Sequence, residues 1–226
     1  MKRSGMMLLL AVLSIAVGNA QQKSGVEISL TSGYVLPSSP MAFANYWKIR
    51  YGGGLRAGIP LSESMTLVGS FEYYRFTMDE TGVRNGFDTD YMREIWIFDR
   101  VTLSPSADPS SVIALAANLR VAPSPRAGTL SPYFTAGIGL MQLSMGDISL
   151  PVTSVLSIDN NDIAMTAENR IVGGKKTAVL LQSGLGIDFT LTESVNAFVE
   201  ARYAVGLTKG QTTGYIPLNI GVMIHL

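Results

Sequence analysis

Along most of its length the chain alternates apolar and polar residues with a period of two. Segment 215–226 sets Ile216, Leu218, Ile220, Val222, Ile224 and Leu226 against Tyr215, Pro217, Asn219, Gly221, Met223 and His225. Segment 195–205 places Glu200 and Arg202 two apart among Val199, Ala201, Tyr203 and Val205. Residues two apart share one face of a strand but are scattered around a helix, so the pattern predicts strands. Eight are predicted, at 26–34, 48–59, 65–76, 111–121, 132–143, 177–189, 195–205 and 215–226. They exceed the roughly 5–6 residues of an ordinary globular strand. They match the roughly 9–11 tilted residues that cross a bilayer.

The connections divide by length. Segments 60–64, 122–131 and 190–194 are short, whereas 35–47, 77–110, 144–176 and 206–214 are mostly longer. Short turns at one end and long loops at the other describe an up-and-down membrane barrel. Sorting by parity sets Ile49, Tyr51, Leu55 and Ile59 against Lys48, Arg50 and Arg56, and Val179, Leu181 and Leu185 against Gln182 and Asp188. It also sets Leu67, Phe71 and Tyr73 against Ser70, Glu72 and Tyr74. Charges gather opposite the aliphatics. Alternation alone fits a soluble barrel equally well, so strand length, loop asymmetry and a last strand able to pair with the first decide for the membrane. Tyr34, Tyr46, Trp47, Tyr73, Phe76 and Tyr215 are expected as a loop-side aromatic girdle, with Phe134 and Phe189 on the turn side.

The first twenty residues are set apart. Lys2 and Arg3 precede the apolar run Met6–Val17, and Gly18-Asn19-Ala20 supplies small residues at a cleavage site. This predicts a secretory signal peptide over 1–20 and a barrel domain over 21–226. Removing it turns 17 basic and 17 acidic residues into 15 and 17, a net of −2. That balance gives no footprint for nucleic acid. The chain has no cysteine, which fits export without disulfides.

The segments YGGGLRAGIPLSESMTLVGSFEYY (51–74), SPYFTAGIGLMQLS (131–144) and GLGIDFTLTESVNAFVEARYAVG (184–206) resemble the small eight-stranded outer-membrane barrels, the outer membrane protein A and X type. The resemblance implies an all-β, eight-stranded antiparallel up-and-down transmembrane barrel in a bacterial outer membrane. It implies outer-membrane lipid as surroundings and the barrel-assembly machinery as a partner reading the C-terminal strand. Family members usually end in an aromatic, whereas this chain ends in His225 and Leu226.

An eight-stranded barrel is just wide enough for side chains to fill it. Parity assigns Glu27, Arg50, Arg56, Glu72, Arg120, Asp188, Glu200 and Arg202 to the lumen, with Lys48 near the outer rim. Buried charges must be paired, so these are expected to form a structural ion network. Gly52, Gly54, Gly58, Gly137, Gly139, Gly184 and Gly186 would give the arginines room. A one-residue slip would turn this set into lipid, at about 2–4 kcal/mol for each arginine at the midplane.

Other motifs have plainer readings. The glycines at 52–54, 137–139 and 184–186 lie inside strands, with neither the helix start nor the lysine of a phosphate loop. DNND at 159–162 lacks the glycine and final glutamate of a calcium loop, which leaves a solvated loop tip. The single histidine, His225, falls at the turn-side end, away from any loop-side chemistry. No catalytic, metal or cofactor site is therefore expected. Segment 91–101, YMREIWIFDRV, is unusually apolar for a loop and marks a candidate binding patch. The function expected is structural or adhesive, with an extracellular ligand or surface met at loops 77–110 and 144–176. A small diffusion pore and a secreted lipocalin-like binding barrel are the alternatives.

Overall fold

The computed structural model describes residues 25–87, 100–123, 130–158, 161–208 and 211–226. The signal-peptide segment and most of 91–101 lie outside them. The barrel is built from β1 (Glu27–Ser39), β3 (Arg50–Pro60), β4 (Met65–Met78), β7 (Ser110–Val121), β8 (Leu130–Met145), β11 (Gly174–Thr190), β12 (Val195–Thr208) and β13 (Gln211–His225). Each pairs antiparallel with its neighbour in chain order, and β13 closes on β1 from Glu27↔His225 to Pro37↔Tyr215. All eight predicted strands are present. With every backbone edge paired inside one closed sheet, the wall leaves no open edge to lipid.

The strands run longer than the alternation suggested, because the wall continues past the aliphatic belt on the loop side. Three expectations change there. Segment 206–214 is mostly strand, with β12 and β13 pairing out to Thr208↔Gln211. Segment 35–47 contains the end of β1, a helix at Met41–Tyr46 and the short β2 (Trp47–Lys48), which pairs with β4. Segment 144–176 is a hairpin of β9 (Ile148–Ile158) and β10 (Asn161–Ile171). Together with β5 (Arg100–Leu103) and β6 (Ser106–Ala107) it forms a second sheet over the barrel mouth. Asp162 at the start of β10 accepts hydrogen bonds from Arg100 and from Ser157, while Asp159 and Asn160 of the DNND segment lie outside the described residues.

The polarity of the wall is inside out relative to a soluble barrel. Leu30, Leu185 and Ile220 are 65%, 67% and 62% exposed on the outer face, in a belt with Leu55, Leu115 and Leu140. Arg56, Glu72, Asp188, Glu200 and Arg202 are buried inside. This removes the lipocalin-like alternative, which needs an apolar interior at these positions. Toward the loops the belt ends in exposed Tyr34, Tyr51, Tyr73 and Tyr203. Beyond them the outward positions become Arg75, Gln142 and Thr177.

Candidate functional site

The inner face changes character partway up several strands, β4 and β11 among them, so the lumen has two parts. In β4 the inward sequence from the turn side is Thr66, Ser70, Glu72, Tyr74, Phe76 and Met78. In β11 it is Asp188, Gln182, Leu180 and Ala178. Polar groups come first and apolar groups follow.

The turn-side part is centred on Glu72. Its Oε1 accepts from Arg56 Nη2 at 3.1 Å and from Arg202 Nη2 at 2.5 Å, and Tyr74 OH donates to its Oε2 at 3.1 Å. Glu200 Oε1 lies 3.0 Å from Arg56 Nη2 and 2.8 Å from Arg202 Nε, both contacts of charges rather than aligned hydrogen bonds. Tyr133 OH donates to Glu200 Oε2 at 3.0 Å. Arg202 Nη1 also donates to Gln182, which donates in turn to Asn118. Arg56 and Arg202 are thus each held by both carboxylates, so neither charge is left bare in the lumen. Nearer the turns, Arg120 pairs with Asp188 and lies 3.9 Å over the Tyr133 ring, which adds a cation–π contact. Glu27 is buried, with His225 Nδ1 3.7 Å from its Oε1. Between these groups remains a cavity of about 20 Å³. That is room for a water and no conduit.

The structure brings together seven of the eight residues assigned to the lumen and leaves out one. Arg50 is exposed at the rim, where its Nε donates to Thr77 Oγ1. Its parity is inward, but it sits too near the strand's loop-side end to reach the network. The glycines also serve differently from the expectation. A Cβ at Gly184 would strike Arg202, but one at Gly54 would strike Glu72, and one at Gly186 the Tyr133 ring. The missing side chains make room for the acceptors and the tyrosine as much as for arginine.

The loop-side part is an apolar plug. Val35, Tyr74, Phe76, Val112, Met141, Leu143, Leu180 and Tyr215 fill the bore, and the helix Met41–Tyr46 drops Phe43 onto them. Phe43 stacks 5.0 Å from Phe76, and Tyr215 lies 5.6 Å from Tyr74. Trp47, Phe76 and Tyr215 were expected in the outer girdle and instead sit in or on the plug, each 8% exposed or less. Parity carried the signal: Phe76 shares its face with Glu72 and Tyr74, and Tyr215 with Asn219.

Above the plug, a hollow of about 550 Å³ separates it from the second sheet. Its floor includes Phe43, Trp47 and Leu143, and its roof Leu103, Leu150 and Val152. At the foot of the second sheet, Asp147 ties the β8–β9 connection to β10 and the β10–β11 connection. This carboxylate accepts from the Gly173 backbone N–H at 2.8 Å and from Arg170 at 2.6 Å. Those two donors, Gly173 first, hold it below the usual aspartate range. Among the described residues no cluster of metal-ligating side chains occurs.

No family model matches the chain, and no curated protein matches it. Solved structures do. Neisserial surface protein A (NspA) aligns with a TM-score of 0.54 at 14% identity, covering 89% of this chain and 99% of that one. The N-terminal β-barrel domain of Pseudomonas aeruginosa OprF aligns at 0.46 and 14% identity, over 90% and 98%. Ail, the attachment invasion locus protein of Yersinia pestis, aligns at 0.44 and 12%, over 90% and 100%. The chain has the fold of the small eight-stranded outer-membrane barrels.

Proposed function

We propose that the chain is an integral protein of a bacterial outer membrane whose barrel is sealed and whose loop-side sheet meets an external ligand or surface. One observation carries this reading: exposed aliphatics ring the outside of a closed sheet whose inside holds Arg56, Glu72, Glu200 and Arg202. A soluble monomer does not leave such a belt in water. A bilayer removes the cost, because acyl chains are as apolar as leucine. The tyrosines at the belt's loop-side end suit the lipid–water boundary.

The sealed lumen favours a structural or surface role over diffusion. A solute would have to part the network around Glu72 and then the Phe43–Phe76–Tyr215 stack. The barrel-assembly machinery is the partner we propose for β13, whose ladder with β1 completes the wall. We read the protein as non-catalytic, since its single histidine lies at the turn-side end beside Glu27 and Asn196.

Two measurements test this. In cell fractionation the protein should remain with the outer membrane and, when unboiled, migrate as a compact band that shifts on heating. Recovery in the soluble fraction without a band shift would refute the membrane reading. In planar bilayers the purified barrel should give no steady openings, and large stable conductance would refute the sealed lumen.

A further inference from the structure

We propose that the hollow between the plug and the second sheet is a binding site for a free long-chain fatty acid, tail inward and carboxylate at Lys176. This rests on the reading of the barrel as an outer-membrane protein whose loop end meets external ligands. It names the ligand class.

The argument begins with volume. Native interiors leave few voids larger than a water. A hollow of about 550 Å³ falls in the range of about 300–1,000 Å³ that holds small-molecule ligands. Its walls are not random surface. β9 alternates, turning Ile148, Leu150 and Val152 to the hollow, while Leu103 from β5 joins them. Opposite stand Phe43 and Trp47 on the plug. Apolar residues of the plug and of the second sheet line the same gap. An apolar chain is the filling that such walls favour.

Charge then chooses the head group. Among the described residues lining the hollow, Lys176 is the one with a formal charge, and no carboxylate lines it. Asn169 and Thr213 add polar groups to the lining. A cation on an otherwise apolar cavity suits an amphiphile with one anionic end. The floor is sealed by the plug, so the ligand would be held at the surface and not passed down the barrel.

The test uses the full chain in lipid nanodiscs, titrated with cis-parinaric acid, a fluorescent fatty acid, with empty nanodiscs subtracted. The folded barrel is confirmed by its heat-shifted band in the same preparation. Saturable binding near one probe per chain is expected, with the uncharged methyl ester about tenfold weaker. Lys176→Glu should weaken the acid about tenfold and leave the ester unchanged. Leu150→Trp, which narrows the hollow from its roof, should weaken both. A folded wild type with no saturable signal overturns the proposal, as does equal binding by wild type and Lys176→Glu. A wild type that lacks the heat-shifted band overturns the barrel reading itself.

Discussion

The two halves of the lumen are enclosed by one wall with one alternation, yet they are held by different physics. The turn-side half buries carboxylates and guanidinium groups that are tolerable only together: Glu72 answers Arg56 and Arg202, and Glu200 answers both again. The loop-side half is an ordinary core of Phe43, Phe76, Val112, Leu180 and Tyr215. The reason lies outside the barrel. Where lipid covers the outer face, that face takes the aliphatics and the bore is left to polar groups. Where the wall rises past Tyr34, Tyr51 and Tyr73, water bathes the outside. The inward positions of strands such as β4 and β11 then turn apolar, as in a soluble protein. The lesson is that inward polarity reports what surrounds the barrel at that height.

The contrast predicts how each half breaks. The largest effect belongs to Glu72→Leu, which leaves Glu200 to offset two buried arginines and should cost about 3–5 kcal/mol. Equilibrium unfolding in urea from lipid vesicles would measure it. Pairing it with Arg202→Met should recover a large share, whereas simple additivity would show that the ions are not coupled. In the plug, Leu180→Ala should cost about 2–5 kcal/mol through lost burial and a cavity, and no second-site partner should rescue it. Tyr133→Phe should cost about 1.5–3 kcal/mol, the worth of a hydrogen bond to a charged acceptor, with no change at the plug. The smallest effect lies outside both halves. The Asp147 carboxyl is held below its usual value of 3.8, so its tie to Gly173 persists above that pH and is lost as pH falls through the lower, folded value. The Gly173 amide resonance should titrate with a midpoint below 3.8 and stop titrating in Asp147→Asn.

The wall and the ionic half were legible in the sequence because lipid enforces a strict period of two. Glu200 and Arg202, two apart in an apolar segment, announced a polar inner face, and both sit in the network. The plug was harder to see. Phe76 and Tyr215 invite assignment to an interface by their nearness to strand ends, although parity turns them inward. Phe43 comes from a six-residue helix, MAFANY, whose sequence cue is no more than the preceding Pro40 and the alanines at 42 and 44. The second sheet was least legible. Ile163, Met165 and Ile171 alternate with Asp162, Glu168 and Arg170 in β10, but every described residue of it is exposed, so no buried face marked it as part of a packed sheet. Arg50 fails for a related reason: parity gives direction but not height.

The seam between β1 and β13 joins Glu27 to His225, residues from opposite extremities of the polypeptide. A cylinder fastened there cannot be zipped up progressively from one end, because its clasp waits for the final strand to arrive. Until that moment two raw borders stand ready to pair with a neighbouring chain.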